Sequence, residues 1–204
     1  SVTILGKVKK KILMNQSAKH GSEIFVSGDL GNSAIAFDLL KKKKKINIES
    51  KFKDYLIKKL YLPEPRIKLG MSIVDIAESC TDISDGLIGD IEKIAKKSNL
   101  CANIFCDKIP LSSAVKNILS LSKNKKKIWE SILFGGEDYE LVFSVAKNKI
   151  KKLSNLKEKI QKIGFFSKGN GIKVFDSKGK ILKFNKKAFN YFLFLILNKL
   201  PNVL

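Results

Sequence analysis

The chain has 204 residues, of which 44% are hydrophobic and 29% charged, and this balance predicts a globular protein with a proper hydrophobic core. The formal net charge of +21 suggests a polyanionic partner, but Arg66 is the only arginine among the 40 basic residues. Lysine lacks the guanidinium fork that reads bases, and the lysine runs at 41–45 and 125–127 contain no aromatic residue for base stacking. A solvated lysine-rich surface is therefore expected, and a nucleic-acid partner is not.

Hydrophobic periodicity predicts alternating strands and helices, with no internal repeat. In chain order, the pattern predicts strands at 2–8 and 23–28, helices at about 32–45, 50–61 and 67–77, a strand at 79–83, a helix at 86–98, a strand at 101–109, a helix at 112–122, a loop at 123–127, a strand at 137–145 and a helix at 147–161. This alternation indicates an α/β or α+β fold, in which a mixed sheet is packed by helices.

The cysteines and the apolar segments bear on the location of the protein. Cys80, Cys101 and Cys106 form no Cys-x-x-Cys pair, which favours a reducing cytoplasm over a disulfide framework or a zinc site. Lysines interrupt the first apolar residues, so no signal peptide is expected. The longest apolar run, 191–197, is far shorter than the roughly 20 residues of a membrane span. It is predicted to be a buried or oligomer-contact helix, and no membrane partner is expected.

The segment TDISDG, residues 81–86, concentrates acid where a strand pattern becomes a helix pattern. Magnesium prefers hard oxygen ligands and is often held by one or two carboxylates together with substrate phosphates. Asp82 and Asp85 could therefore face a common metal ion, with Ser84 near a phosphate. Asp and Ser are also preferred at helix N-caps, although a cap needs only one of them. Taken alone, the segment leaves metal binding and helix capping open.

A second segment, LFGGEDYELVF at 133–143, places three acidic residues after paired glycines. Gly135 and Gly136 permit a positive φ angle and close approach of a ligand to the backbone. The segment could hold a cationic or polar substrate, or it could be an ordinary turn whose charges lie at its exit. Neither a P-loop nor a dinucleotide-binding glycine pattern occurs in the sequence.

Together these segments resemble a known family. TDISDGLIGDI, IFCDKIPLS and GGEDYELVFSV occur in the order and at roughly the separation found in bacterial thiamine-monophosphate kinases, of the aminoimidazole-ribonucleotide synthetase-like superfamily. AKHGSEIFVSGDLGNSA and LPEPRIKLG match two further family patterns. The resemblance runs from residue 1 to about residue 192.

The resemblance implies an enzyme that transfers the γ-phosphoryl group of ATP directly onto thiamine monophosphate, giving thiamine diphosphate. It implies that Asp82 and Asp85 are ligands of Mg²⁺, several ions of which are expected, and that Ser84 binds ATP. It also implies that Glu137 binds the substrate and that Phe189 lies against the thiamine rings. No covalent intermediate and no catalytic side chain are expected, because positioning and metal ions carry the reaction.

The sequence also departs from the family pattern. By the resemblance, a family arginine that contacts ATP corresponds to Asn15, which is assigned to the ATP site although it has no guanidinium group. The chain starts inside a strand-like pattern, so it is expected to be the C-terminal part of a longer protein. Residues 1–15 would end an N-terminal ATP-binding domain, and residues 16–204 would form the C-terminal domain of the superfamily fold.

The expected N-terminal domain leads to two further expectations. The 204-residue chain is expected to be inactive alone, and the complete protein is expected to form a homodimer through that domain. Two alternatives stay open at this point: another ATP-dependent synthetase of the same superfamily, or a non-catalytic basic binding module.

Overall fold

The computed structural model of the chain describes residues 3, 5–8, 11–41 and 48–184. Six strands in this part form one sheet: β1 (Glu23–Ser27), β2 (Ala77–Asp82), β3 (Leu100–Phe105), β4 (Leu141–Val145), β5 (Ile160–Lys168) and β6 (Gly171–Phe175). Their order across the sheet is β2-β4-β1-β5-β3-β6. All neighbouring strands are antiparallel except β3 and β6, so the sheet is mixed, as the sequence predicts.

Helices cover both faces of this sheet. The α-helices of the described part are α1 (Asn32–Lys41), α2 (Ser50–Tyr61), α3 (Ile67–Ser72), α4 (Leu87–Lys97), α5 (Ser113–Leu121) and α6 (Lys125–Phe134). Two 3-10 helices span Cys106–Lys108 and Lys147–Asn155. Within the described ranges, no helix has the length and apolar content needed to cross a bilayer.

The alternation of side chains along the strands divides the apolar residues between two clusters. In β1, Ile24 and Val26 belong to the larger cluster, which buries residues of α1, α2, α4, α5 and α6. Phe25 points to the opposite face, where it stacks on Phe143 of β4 with ring centroids 5.8 Å apart. Leu69 and other apolar side chains of the α3 region cover this smaller cluster. The sheet is thus enclosed by a thick helical layer and a thin one.

The pairing of β2 with β4 determines where the two acidic segments lie. The strands are antiparallel, and Asp82, the last residue of β2, is opposite Leu141, the first residue of β4. The loop that leaves β2 and the loop that enters β4 therefore meet at the same edge of the sheet. Residues that are more than 50 positions apart in the sequence come together at this point.

Most predicted elements are confirmed, but the lysine-rich loop at 123–127 is wrong. Helix α6 begins at Lys125, where the Asn124 side chain accepts a hydrogen bond of 3.0 Å from the backbone N–H of Lys127. The apolar face of this helix is buried, including Ile128 and Ile132. An N-cap and an amphipathic face therefore outweigh the run of like charges, which stays exposed to water.

Other predicted elements also differ from the structure. The helix predicted at 67–77 ends at Ser72, and the strand predicted at 101–109 gives way to a 3-10 helix at Cys106. The helix predicted at 147–161 is a 3-10 helix that ends at Asn155, and β5 begins at Ile160. The described residues of the predicted strand at 2–8 form no strand. The predicted terminal helix around 191–197 and the end of the helix predicted at 32–45 lie outside the described residues.

Candidate functional site

The two acidic loops are joined by their backbones. The N–H of Ile83 donates to the carbonyl oxygen of Glu140 at 2.8 Å, and the N–H of Tyr139 donates to that of Ile83 at 3.0 Å. The N–H of Glu137 donates to the carbonyl oxygen of Ser84, also at 3.0 Å. These bonds continue the β2–β4 ladder beyond its regular part, so the loops form one unit.

Glycine makes this close approach possible. A Cβ atom on Gly136 would lie 1.9 Å from the carbonyl oxygen of Ser84, closer than real Cβ contacts. Gly86 has a φ of +105°, and a Cβ atom there would lie 2.8 Å from the backbone of Phe134. The glycines of both motifs are therefore needed for contact between the loops, a role that is independent of any ligand.

Substitution of Gly136 tests this contact. We expect Gly136→Ala to lower the free energy of unfolding by about 1–3 kcal/mol or more, because the backbone of Ser84 has to move. Chemical denaturation measures the change. Gly70→Ala is the matched control, since its Cβ would meet only Leu141 at 3.8 Å and alanine favours the helix. Equal stability of the two variants would contradict the claim that contact between the loops requires glycine at position 136.

The helix after the first loop is not capped by the residues that the sequence suggests. The N-cap of α4 is Gly86, which has no side chain, so helix capping does not explain Asp82, Ser84 or Asp85. Buried Asp90, within α4, instead accepts hydrogen bonds of 3.1 Å from the backbone N–H groups of Ser84 and Asp85. The capping interpretation is therefore wrong for the side chains of the acidic loop. Asp90 thus satisfies backbone N–H groups of the loop, so neither Asp82 nor Asp85 is needed for that task.

Lys93 links two of these acids. Its Nζ donates to Oδ2 of Asp85 at 2.5 Å and to Oδ1 of Asp90 at 2.7 Å. Burial raises the pKa of Asp90, whereas the hydrogen bond from Lys93 lowers it. Asp82 is more open, because it ends β2 as an exposed residue.

The second loop brings a phenol and a carboxylate to the same place. The hydroxyl of Tyr139 donates to Oε2 of Glu137 at 2.8 Å, and this hydrogen bond is the main reason why the pKa of Tyr139 is raised. The charges of Asp82 and Asp85 raise it further, so both are within electrostatic reach of this hydroxyl. The second loop thus pairs a phenol with a carboxylate, within electrostatic reach of the two aspartates of the first loop.

The backbone of this second loop is strained. Glu137 and Tyr139 have φ angles of +69° and +50°, in the left-handed region that side chains other than glycine seldom adopt. Strained residues of this kind concentrate at functional sites, where the surrounding structure holds them in place. Two such residues in one loop make it a candidate functional segment. Tyr139 also lines a cavity together with Pro63, Pro65 and Asp82.

Asp138 anchors the loop to another helix. Its carboxylate accepts a hydrogen bond of 2.7 Å from the backbone N–H of Gly31 and one of 3.2 Å from that of Ser33, at the N-terminus of α1. Burial raises the pKa of Asp138 to about 7, although these N–H groups favour the charged form. The segment GDLGNSA, which the sequence indicates as a tight turn into a helix, is therefore tied to the acidic site.

The only arginine of the sequence lies directly beneath this loop. Arg66 donates from Nε and from one terminal nitrogen to the two carboxylate oxygens of Glu140, at 2.7 and 2.6 Å. The hydroxyl of Ser27 also donates to Glu140, at 2.5 Å. A Cβ atom on Gly28 would lie 2.1 Å from this carboxylate. Sequence reasoning missed the ion pair, although a solitary arginine among 39 lysines is a signal for it.

The remaining predicted site residues are less central. The side chain of Asn15 accepts a hydrogen bond of 3.0 Å from Nζ of Lys97, one helical turn beyond Lys93, so an ammonium group stands next to this position. Ser84 takes part through its backbone N–H and carbonyl groups. Phe189 lies outside the described residues.

The carboxylates of Asp82 and Asp85 fit one part of the ligand shell of Mg²⁺, which water and phosphate oxygens would complete. In the part of the chain that the structure describes, no group of three or more His, Cys, Asp or Glu side chains could hold a metal ion by itself. Asp82 and Asp85 offer carboxylate oxygens, and Mg²⁺ commonly takes one or two of these and completes its shell with water and phosphate oxygens. The arrangement therefore suits a metal ion that arrives with a phosphate ligand.

Comparisons with known proteins point to one family, although no protein-family profile matches the chain. A thiamine-monophosphate kinase of Buchnera aphidicola subsp. Acyrthosiphon pisum is 39% identical over 201 residues, which cover 94% of this chain and 59% of that protein. The crystal structure of the thiamine-monophosphate kinase of Stenotrophomonas maltophilia superposes with a TM-score of 0.71 at 29% identity, over 83% of this chain and 54% of the other.

A further structure, AaThiL complexed with AMPPCP and TMP, has a TM-score of 0.70 at 32% identity and matches 87% of this chain and 53% of its own. This chain spans 59% of the length of the curated Buchnera relative. In sequence and in fold, the chain therefore belongs to the thiamine-monophosphate kinase family, within the aminoimidazole-ribonucleotide synthetase-like superfamily.

Proposed function

We propose that this chain contributes the acidic, substrate-facing part of an enzyme that phosphorylates thiamine monophosphate to thiamine diphosphate with ATP. The observation that carries the proposal is that backbone hydrogen bonds join the loop of Asp82 and Asp85 to the loop of Glu137, in a chain whose net charge is +21. The fold shared with a ThiL protein bound to AMPPCP, an ATP analogue, and TMP supports it. Because the chain spans 59% of its Buchnera relative, we further propose that an N-terminal domain completes the ATP site and forms the homodimer.

The proposed reaction joins two polyanions, so the site has to overcome their repulsion. Asp82 and Asp85 would hold Mg²⁺ between the phosphates, and several ions are expected. When bound, Mg²⁺ screens the repulsion and neutralises the charge that develops on the transferred phosphoryl group. The attacking oxygen of thiamine monophosphate is already anionic, so no general base is required. The protein acts by holding both reactants in line.

Other side chains of the site would orient the two substrates. Glu137, fixed by its hydrogen bond from Tyr139, would face the cationic thiamine moiety. Phe189 follows five residues after Phe184, whose ring packs on that of Phe134 just before the second loop, and it would supply an aromatic surface for the thiamine rings. Ser84 and Asn15 would lie on the ATP side, where Lys97 brings an ammonium group next to Asn15.

The cysteines have no place in this mechanism. All three are free, and Cys101 and Cys106 are buried. Burial raises the pKa of Cys80 and of Cys106 to about 12, so these thiols stay protonated at neutral pH and are poor nucleophiles. Free thiols suit the reducing cytoplasm that we propose as the location of the enzyme.

A test of the proposal measures thiamine diphosphate formation from ATP and thiamine monophosphate by the complete protein that contains this chain. Glu137→Gln is expected to raise KM for thiamine monophosphate by about tenfold, because a hydrogen bond to a charged group contributes about 1.5–3 kcal/mol. Glu92→Gln, which changes an exposed acid of α4, is the control. Activity on another phosphorylated substrate but not on thiamine monophosphate would refute the assignment.

A further inference from the structure

Lys93 occupies an unusual position among the lysines of this chain. Its ammonium group lies between Asp85, a proposed metal ligand, and the buried Asp90, at 2.5 and 2.7 Å from their oxygens. The Asp90 side chain is 1% exposed and is also held by two backbone N–H groups, so it cannot follow the lysine outward. The Asp85 side chain is 25% exposed and the Lys93 side chain 44%, so both have room to separate.

We propose that Lys93 is a built-in counter-ion of Asp85, which a divalent cation has to displace, and that it thereby lowers the metal affinity of the loop. This inference rests on the proposed function only in taking Asp85 as a metal ligand. Lys93 holds Oδ2 of Asp85, one of the oxygens that a metal ion would use. The ammonium group of Lys93 and a divalent ion on Asp85 would repel each other. Asp85 therefore cannot bind both tightly at the same time.

The arrangement has a consequence for the order of events in the site. Without a metal ion, Lys93 keeps two neighbouring acids from repelling each other and preserves the shape of the loop. On binding a metal–nucleotide complex, Asp85 would exchange Lys93 for the metal ion, and the released ammonium would lie on the α4 face that also carries Lys97. The loop would thus bind free Mg²⁺ weakly and the metal–nucleotide complex strongly.

The test measures Mn²⁺ binding to the 204-residue chain by the loss of the electron paramagnetic resonance signal of free Mn²⁺. Lys93→Met is expected to tighten Mn²⁺ binding by about tenfold at low ionic strength, because the positive charge beside Asp85 is removed. Lys93→Arg, which keeps the charge, is expected to stay within about threefold of the wild type. Lys96→Met removes the same charge from an exposed position of α4 and is the matched control, expected to change affinity by less than about twofold.

Two outcomes separate this inference from the proposed function. Equal or weaker Mn²⁺ binding by Lys93→Met, with wild-type binding detectable, would overturn the counter-ion role and leave the metal site intact. Absence of Mn²⁺ binding in both wild type and Lys93→Met, also after AMPPCP is added, would overturn the metal assignment and the counter-ion role together. If Lys93→Met does not fold, Lys93→Gln takes its place with the same expectation.

A measurement on the wild-type chain removes the dependence on substitutions altogether. Side-chain ammonium signals in ¹⁵N-correlated NMR spectra report whether Nζ of a lysine is held by a carboxylate. We expect Mg²⁺ to shift the signal of Lys93 and to leave that of Lys96 unchanged. A Lys93 signal that does not respond while Mg²⁺ binds would overturn the proposal.

Discussion

Asp82→Asn in the complete protein is expected to lower kcat by at least about 100-fold while leaving the fold unchanged. A metal ion stabilises the charge of a transition state by several kcal/mol, and each 1.4 kcal/mol corresponds to a factor of ten. Asp82 is exposed at the end of β2, so its charge contributes little to folding. A steady-state assay of thiamine diphosphate formation, together with thermal unfolding, measures both quantities.

The matched control is Asp54→Asn, which removes the same charge from an exposed position of α2. Its kcat is expected to remain within about twofold of the wild type, because exposed charges far from the chemistry are largely screened by salt. If Asp82→Asn keeps the activity of the control, the first loop does not bind the metal ion. If it unfolds at a much lower temperature, its role is structural.

Arg66→Met is expected to lower the free energy of unfolding by about 2–4 kcal/mol. The change removes both hydrogen bonds to Glu140 and leaves that carboxylate, whose side chain is 8% exposed, without its cation. Arg66→Lys keeps the charge but not the fork, so about half of the loss is expected. Urea denaturation of the 204-residue chain measures these differences.

Lys68→Met is the control for the arginine variants, because it removes a charge from an exposed position two residues further along. It is expected to lower the free energy of unfolding by about 0.5 kcal/mol or less. If Arg66→Met is as stable as this control, the ion pair between Arg66 and Glu140 contributes nothing to the stability of the fold. Glu140 continues into β4 directly after Tyr139, so the same variant is also expected to loosen the loop that carries Glu137.

The sequence predicts the strands and amphipathic helices near the site well, because their apolar residues follow a regular period. Helix α2 and strand β1 lie within one residue of the predicted ranges. The two acidic segments also stand out in the sequence, because they place acidic residues beside glycines in a chain that is otherwise rich in lysine. Their meeting at one sheet edge is a property of the β2–β4 pairing, which a single sequence does not reveal.

The partners inside the site are less predictable than the site itself. Asp90 and Asp85 have the same side chain, yet one is buried as a backbone acceptor and the other faces a lysine. Nothing in the local pattern distinguishes these roles, since burial depends on how α4 packs in the folded protein. The bond between Asp138 and the N-terminus of α1 spans 107 positions and depends likewise on tertiary structure.

The most direct test of the account is the position of the metal ion. A crystal of the complete protein with Mn²⁺ and AMPPCP should show anomalous density within bonding distance of the carboxylates of both Asp82 and Asp85, with Lys93 turned away from Asp85. Ordered nucleotide with no metal ion near these two side chains would contradict the central claim that the acidic loop holds divalent cations between the phosphates.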